Sequence, residues 1–241
     1  MSFEHKKRAL ITGASSGIGK ATALAFAKAG IDVALVSRSQ EKLEGVATAA
    51  KAAGVEAKAY AVDLANISQV KTKIEAIADD FGPIDILVNN AGIGYTANLD
   101  EIPLADWQRV MDLNITSVFQ CMMAIVPKMR QQGQGTIINI ASIAAKQAFP
   151  GWGAYCVSKA GLLALSQTLA QEERVNGIRV TAICPGAVNT EIWDTETVNV
   201  NFDRAKMLTP EVVAQTILNT VLLPQETVIE ELTLMSNAGV L

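Results

Sequence analysis

Short apolar runs alternate along the chain with longer segments that have the apolar periodicity of helices. The first four runs are continuously apolar, which is typical of parallel strands buried on both faces. The predicted strands are residues 8–12, 32–37, 57–62, 84–89, 135–140, 178–183 and 228–235. The predicted helices are residues 18–29, 40–53, 68–81, 104–131 (long enough to bend), 151–174 and 210–222. Strands that alternate with helices of crossover length form right-handed βαβ units, so the pattern predicts a doubly wound parallel sheet.

The length of the chain suits one large α/β domain, at 241 residues. Half of the residues are hydrophobic and 18% are charged, so an extensive core can be buried. The sequence has no internal repeat, low-complexity tract or linker. We therefore expect residues 1–241 to form a single domain.

Charge and residue content exclude several functional classes. The net charge is −4 and no basic run exceeds residues 6–8, which argues against a nucleic-acid partner. The only histidine is His5 and the three cysteines are widely separated, so we expect neither a metal site nor a histidine-dependent hydrolase. No uninterrupted apolar run reaches the roughly 18–20 residues of a membrane-spanning helix, and the N-terminus lacks a signal-peptide stretch. We expect a soluble cytoplasmic protein without a membrane partner.

A glycine-rich turn, TGASSGIG at residues 12–19, joins the first predicted strand to a helix. Glycines allow a tight turn and close approach of the backbone to a pyrophosphate, and the helix N-terminus offers free N–H groups. The spacing differs from the commoner G-x-G-x-x-G, and the alternative is a purely structural loop. We expect a dinucleotide to bind here through Gly13, Ser15, Ser16, Gly17, Ile18 and Gly19.

The end of the second predicted strand is where dinucleotide folds discriminate between NAD and NADP. Ser37 can donate a hydrogen bond and Arg38 can pair with a 2′-phosphate, whereas NAD sites carry a carboxylate here. We therefore predict NADP(H), with a solvated surface arginine as the alternative. The next two strand ends should complete the nucleotide site with Asp63, Leu64, Asn90, Ala91 and Gly92, while Asn89 could equally stabilise the sheet.

Tyr155 and Lys159 lie four residues apart in a predicted helix, so their side chains share a face. Ser142 ends the fifth predicted strand, at the edge where a nicotinamide should lie. We expect the ammonium to favour the phenolate and so to lower the phenol pKa from about 10, which suits proton transfer. Each residue alone has a structural explanation, because tyrosines usually pack and lysines usually face solvent.

With these motifs the chain resembles the short-chain dehydrogenase/reductase family throughout its length. The matches are residues 12–19, NNAG at 89–92, Asn114, Ser142, YCVSK at 155–159 and Pro185-Gly186, in the family's order and spacing. The resemblance implies a single Rossmann-type domain with a seven-stranded sheet, helices on both faces and NADP-dependent oxidoreductase activity on a carbonyl or alcohol.

The resemblance also implies a catalytic set of Asn114, Ser142, Tyr155 and Lys159. Ser142 would hydrogen-bond the substrate oxygen, and Tyr155 would give or take its proton. Lys159 would bind the nicotinamide ribose and tune Tyr155, and Asn114 would hold a water that links Lys159 to solvent. The nicotinamide would be flanked by Pro185, Gly186, Val188 and Thr190.

Residues 187–209 are expected to form a short substrate lid that contains Trp193, Phe202 and Met207, although these residues could simply pack the lid. A small or medium carbonyl compound fits such a lid, and we favour a ketone or aldehyde reductase. A non-catalytic NADP(H) sensor on the same fold is a further alternative.

The alternative enzyme is a 3-oxoacyl-[acyl-carrier-protein] reductase. Lys128, Arg130 and Arg174 could meet an acidic carrier, but residues 228–241 lack the glycine-rich, Asp-containing end usual in that subgroup. The two long helices, 104–131 and 151–174, are apolar on more than one side. Together with the resemblance, this predicts a homotetramer.

Overall fold

A computed structural model describes residues 6–200 and 202–239, in which seven parallel strands form one sheet. The strands are β1 (Arg8–Thr12), β2 (Asp32–Ser37), β3 (Ala57–Ala61), β4 (Ile86–Asn89), β5 (Gly135–Ile140), β6 (Ile178–Pro185) and β7 (Glu231–Leu234). Their order in the sheet is β3-β2-β1-β4-β5-β6-β7. From β1 the next strands are added on one side of the sheet, and from β4 onward they are added on the other side. At this switch point between β1 and β4, a crevice forms at the carboxyl ends of the strands.

Helices cover both faces of the sheet. They are α1 (Gly17–Lys28), α2 (Gln40–Lys51), α3 (Ile67–Phe81), α4 (Leu104–Met111), α5 (Ser117–Gln132), α6 (Gly153–Glu173) and α7 (Pro210–Val221). One core lies between the sheet and α1, α2 and α7, around Phe26, Leu43 and Ile217. The other lies between the sheet and α3, α5 and α6, around Ile74 and Ile125. The predicted doubly wound α/β sheet is confirmed.

The longest predicted helix is interrupted. A π-helical turn, Asp112–Thr116, joins α4 to α5 without a loop. By length and composition, the combined helix Leu104–Gln132 could span a membrane, a test that core helices of soluble proteins also pass. Half of its most apolar stretch is buried within the protein, where α5 packs against α3 and the sheet. Polar residues spaced between its apolar ones explain why no long uninterrupted apolar run is present.

Element boundaries differ from the sequence pattern at four strands and within residues 187–209; β3 ends one residue earlier and β6 two residues later than predicted. β4 begins two residues later than predicted, and β7 is four residues long instead of eight. β7 pairs only with β6 at the edge of the sheet, so its length is limited to the four paired residues. The lid contains two short 3₁₀ helices that were not predicted, Glu191–Asp194 and Arg204–Lys206.

Candidate active site

A cavity of about 910 Å³ runs along the carboxyl edge of the sheet. Every residue that the sequence predicted for the site lines this cavity, except Gly19 and Asn114. The fold therefore brings together residues from the ends of six strands, the N-terminal half of α6 and residues 187–209.

The glycine-rich turn is held by side chains of its neighbours. The Thr12 hydroxyl accepts hydrogen bonds from the N–H groups of Asn90 (3.0 Å) and Ala91 (3.1 Å). The Asn90 amide donates to the carbonyls of Thr12 and Gly13. A Cβ on Gly19 would lie 2.3 Å from the Gly13 oxygen, so Gly19 acts by close packing and not by lining the cavity. Thr12 was missed by the sequence reasoning, although it opens the motif.

The N-terminus of α1 is open toward the cavity. Its N-cap residue, Ser16, makes no side-chain capping bond, and the first turn has no acidic residue. Ser16, Gly17 and Ile18 all line the cavity. Free N–H groups and the positive end of the helix dipole make this turn suited to an anionic phosphate.

The end of β2 and the start of α2 carry hydrogen-bond donors that have no protein partner among the described residues. The Ser37 hydroxyl oxygen is buried and, within the described part of the chain, has no hydrogen-bond partner. Arg38 and Lys42 line the cavity beside it, and neither makes an ion pair with any residue that the structure describes. An orphaned hydroxyl next to two unpaired cations fits the 2′-phosphate of NADP, which supplies acceptors and negative charge. Lys42 was missed by the sequence reasoning; its position in the first turn of α2 was the available signal.

Ser142, Tyr155 and Lys159 meet at one point of the cavity wall. The Lys159 ammonium is buried, donates to the Ile140 carbonyl at 2.9 Å and lies 5.7 Å from the centre of the Tyr155 ring. The Ser142 hydroxyl accepts the Ala144 N–H at 3.1 Å and hydrogen-bonds the Tyr155 phenol. The Ser142 and Tyr155 hydroxyls therefore pair directly, and the Lys159 ammonium lies beside the Tyr155 ring.

The electrostatics of this corner differ from the expectation. Burial raises the pKa of Tyr155 to about 12, and the hydrogen bond with Ser142 only partly opposes this shift. Burial also lowers the pKa of Lys159 to about 8. The expectation that the pKa of the phenol is lowered is wrong in this structure, because desolvation, which disfavours the charged form of each group, is the largest cause of both shifts.

Asn114 lies within the π-helical turn and is fully buried. Its side chain accepts the Ile93 N–H at 2.9 Å and donates to the Ile93 carbonyl and to the Ser158 hydroxyl, each at 3.0 Å. The Asn114 amide oxygen and the Lys159 ammonium both lie within 3.6 Å of where a Cβ on Gly92 would be. Asn114 thus joins the loop after β4 to α6 beside the catalytic corner.

Asn89 belongs to the sheet and not to the cavity. It is 1% exposed, does not line the cavity and donates to the Asn139 amide oxygen at 2.8 Å. Asn139 in turn donates to the Ser166 hydroxyl at 2.9 Å. Of the two readings left open for Asn89, the structural one is correct.

The lid is fastened to the body of the protein. Its ends pair with each other, since the Asn189 N–H donates to the Leu208 carbonyl and the Leu208 N–H to the Ala187 carbonyl, both at 2.9 Å. Its middle is bonded to the loop after β4: the Thr96 N–H donates to the Thr197 carbonyl, and the Thr197 hydroxyl to the Gly94 carbonyl, both at 2.8 Å. These bonds hold the segment predicted as a lid beside the cavity, which its residues Val188, Trp193 and Phe202 line.

Comparisons with known proteins agree with this geometry. Residues 7–201 match the family model described as short chain dehydrogenase. A 3-oxoacyl-[acyl-carrier-protein] reductase of Synechocystis sp. is 41% identical over 215 residues, which cover 87% of this chain and 86% of that protein. A 3-oxoacyl-[acyl-carrier-protein] reductase FabG of Thermotoga maritima is 36% identical over 218 residues, covering 88% and 89%.

Solved structures are similar over almost the full chain. An alcohol dehydrogenase from the archaeon Thermococcus sibiricus, complexed with 5-hydroxy-NADP, has a TM-score of 0.89 and 29% identity, and the match covers 98% of both chains. An actinorhodin polyketide ketoreductase with NADPH has a TM-score of 0.87 and 29% identity, with 99% of both chains covered. The glycine-rich turn, the Ser142–Tyr155–Lys159 corner and these likenesses together identify the chain as a member of the short-chain dehydrogenase family.

Proposed function

We propose that this chain is an NADP-dependent oxidoreductase that reduces the carbonyl group of a small ketone or aldehyde to an alcohol. The observation that carries this proposal is the meeting of Ser142, Tyr155 and Lys159 on the wall of one cavity. A phenol, a hydroxyl and a buried ammonium form a set that can protonate and stabilise a developing alkoxide. One domain carries both the nucleotide and the substrate part of the site.

Residues of the protein donate the proton and stabilise the charge that its transfer leaves behind. NADPH, when bound, supplies the hydride that the carbonyl carbon accepts. A pKa of about 12 keeps Tyr155 protonated, so its hydroxyl donates to the substrate oxygen and passes on its proton. The Ser142 hydroxyl supplies a second hydrogen bond to that oxygen. Lys159, charged below about pH 8, stabilises the negative charge left on the phenol.

Preference for NADP over NAD rests on the end of β2. Ser37, Arg38 and Lys42 offer one hydroxyl and two cations, and β2 is followed by no carboxylate until Glu41. Glu41 is absent from the cavity lining. A 2′-phosphate would gain charge-assisted hydrogen bonds here that a 2′-hydroxyl cannot make.

A free carbonyl compound is favoured over a carrier-bound one. Each of the three basic residues considered for an acidic carrier forms an ion pair within the chain: Lys128 with Asp79, Arg130 with Glu173 and Arg174 with Glu230. Pairing with carboxylates removes most of the positive field that a carrier protein would recognise.

The second candidate is reduction of 3-oxoacyl groups on acyl carrier protein. It is favoured by the curated relatives, which are 3-oxoacyl-[acyl-carrier-protein] reductases at 36–41% identity. The chemistry at Tyr155 would be the same for both substrates. A non-catalytic sensor is disfavoured because these relatives are named as reductases.

We extend the proposal to assembly and location. α5 and α6 carry exposed apolar side chains, Phe119 (44% exposed) and Val157 (47%), which suit association with a second copy. We propose a cytoplasmic homotetramer that uses these helices. The acidic net charge of −4 disfavours a nucleic-acid partner, and the burial of half of the long apolar helix disfavours a membrane partner.

The test is a comparison of substrates by the loss of NADPH absorbance. Purified enzyme is given free ketones and aldehydes, 3-oxoacyl thioesters and a 3-oxoacyl group on acyl carrier protein. We expect turnover of the free compounds, with no gain in kcat/KM on attachment to the carrier. Turnover of the carrier-bound substrate alone would establish the second candidate, and NADPH binding without any turnover would establish the sensor.

A further inference from the structure

Three aromatic side chains form a row that starts at Tyr155. The Trp152 ring lies 5.4 Å from the Tyr155 ring, and the Trp193 ring lies 5.9 Å from Trp152. Phe202 extends the row at 5.3 Å from Trp193. All three contacts are edge-to-face, with interplanar angles of 66°, 73° and 87°. Trp152, Trp193 and Phe202 are called the aromatic row below.

The aromatic row belongs to the cavity wall and does not simply pack the lid. Its three rings are partly exposed and all line the cavity. The Trp193 indole N–H donates to the Val188 carbonyl at 2.7 Å, which fixes the orientation of that ring. The backbone of Trp152, the N-cap residue of α6, forms an isolated parallel β-bridge with Ala97. Fixed rings with open faces and edges form a preorganised surface.

We infer that the substrate of this site is a neutral ketone that carries an aromatic ring, which the aromatic row binds beside the carbonyl-reducing corner. This inference rests on the proposed carbonyl reductase function. An aromatic ring placed against the row gains edge-to-face contacts that an aliphatic group of the same size does not make. The two rings closest to Tyr155, Trp152 and Trp193, would contact it first.

The charges of the cavity support a neutral substrate. Four further residues of the cavity lining, Phe149, Ile143, Ile192 and Met235, are also uncharged. The charged residues of the cavity lining belong to other parts of the fold than the three rings of the aromatic row. Arg38 and Lys42 follow β2, Asp63 follows β3, Arg109 lies on α4, Lys159 belongs to the corner, and Glu191 points at Gly17 of the phosphate-binding turn. An anionic group in contact with the aromatic row would lose its hydration and would gain no ion pair from the three rings.

The reaction balances with the groups already named. The ketone carbon gains the hydride that NADPH supplies, and the π bond of its carbonyl becomes an O–H bond with the proton from Tyr155. The ketone is reduced to a secondary alcohol, NADPH is oxidised to NADP⁺, and water returns one proton to Tyr155.

A matched pair of ketones isolates the contribution of the aromatic ring. 4-Phenylbutan-2-one and 4-cyclohexylbutan-2-one have the same carbonyl environment and nearly the same size. By apolar area alone, the cyclohexyl compound would bind at least as well. We expect a kcat/KM about 2- to 12-fold higher for the phenyl compound, the range that corresponds to one edge-to-face contact.

Two substitutions test whether the aromatic row causes the preference for the phenyl compound. Trp193→Leu and Phe202→Leu should each lower the ratio of the two kcat/KM values toward one. The matched control is Trp107→Phe, since Trp107 lies on α4 outside the cavity lining and this change should leave the ratio unaltered. Two separate variants keep the test decisive if one of them disturbs the lid.

Binding is measured independently of turnover. The chain has three tryptophans, so Trp107→Phe leaves fluorescence only from Trp152 and Trp193. Titration of this variant with each ketone gives two dissociation constants, and we expect tighter binding of the phenyl compound. Equal binding and equal turnover of both ketones, or a ratio that Trp193→Leu and Phe202→Leu leave intact, would overturn the inference while the reductase function stands. Selective binding of the phenyl compound without NADPH oxidation would refute the reductase function and retain the ring-binding surface.

Discussion

Replacing Lys159 by Met is expected to make the protein more stable at neutral pH while abolishing its activity. The Lys159 side chain is 5% exposed, and burial lowers its pKa from 10.5 to about 8. Such a shift means that keeping the ammonium charged in the native state costs about 3 kcal/mol below pH 8. Methionine has a similar length and adapts to the same space without a charge.

The net effect at pH 7 follows from two opposing contributions. Loss of the hydrogen bond to the Ile140 carbonyl costs about 1 kcal/mol, which leaves a gain of about 2 kcal/mol for the variant. For a chain of this size, that gain corresponds to an increase in Tm of about 4–8 °C.

The direction of the Lys159 pKa shift determines how the stability difference between the two proteins changes with pH. Because the native pKa of Lys159 lies below its ordinary value, the native protein binds fewer protons than the unfolded chain between about pH 8 and 10.5. The wild-type protein therefore gains stability relative to the variant as the pH rises through this window. The stability advantage of the variant should vanish and reverse at about pH 10, where the hydrogen bond that the variant lacks outweighs the remaining cost of the charge.

The assay is urea denaturation of wild-type and Lys159→Met protein between pH 7 and 10, at one protein concentration because an oligomer's stability depends on it. Lys73→Met, at an exposed lysine of α3, is the control and should change the free energy of unfolding at pH 7 by close to zero. A variant less stable than wild type at pH 7, with a difference independent of pH, would refute a desolvated ammonium at this position.

Three further outcomes are expected. Tyr155→Phe should lower kcat by about 10²–10⁴-fold, because the proton donor is lost, with little change in the NADPH dissociation constant measured by fluorescence titration. Arg38→Ala should raise the KM for NADPH about tenfold to a hundredfold but leave the KM for NADH nearly unchanged in steady-state kinetics; equal effects on both cofactors would contradict the assignment. Phe119→Asp and Val157→Asp should reduce the mass measured by light scattering, whereas a monomeric wild-type protein at micromolar concentration would refute the assembly.

Local patterns predicted the fold and most of the candidate site. The turn from Gly13 to Gly19 is readable because only glycine satisfies its backbone: Gly13 and Gly17 have φ of 65° and 50°, and Gly19 packs against the turn. Tyr155 and Lys159 are readable because helical spacing alone puts them on one face. In both cases the information lies within eight residues of sequence.

Features that depend on tertiary contacts were not predictable. The π-helical turn that contains Asn114 is tied to the Ile93 backbone, and no pattern within residues 104–131 specifies that contact. The direction of the Tyr155 pKa was mispredicted because spacing reveals a nearby ammonium but not the burial that opposes it. Likewise, the sequence does not show that Arg130 pairs with the buried Glu173, because the two residues are 43 positions apart. Without that partner, Arg130 looks like a free cation that could contact a carrier.

The fastening of the lid has a consequence for the rate of turnover. Four hydrogen bonds join Thr96 and Gly94 to Thr197 and Asn199, two of them from the Thr96 hydroxyl acting as donor and acceptor. At a net 0.5–1.5 kcal/mol each, breaking all four costs about 2–6 kcal/mol, so the two segments are expected to be separated in about 3% of molecules or fewer. If product leaves only when they separate, release limits turnover, and a deuterated hydride donor is expected to produce a small isotope effect on kcat.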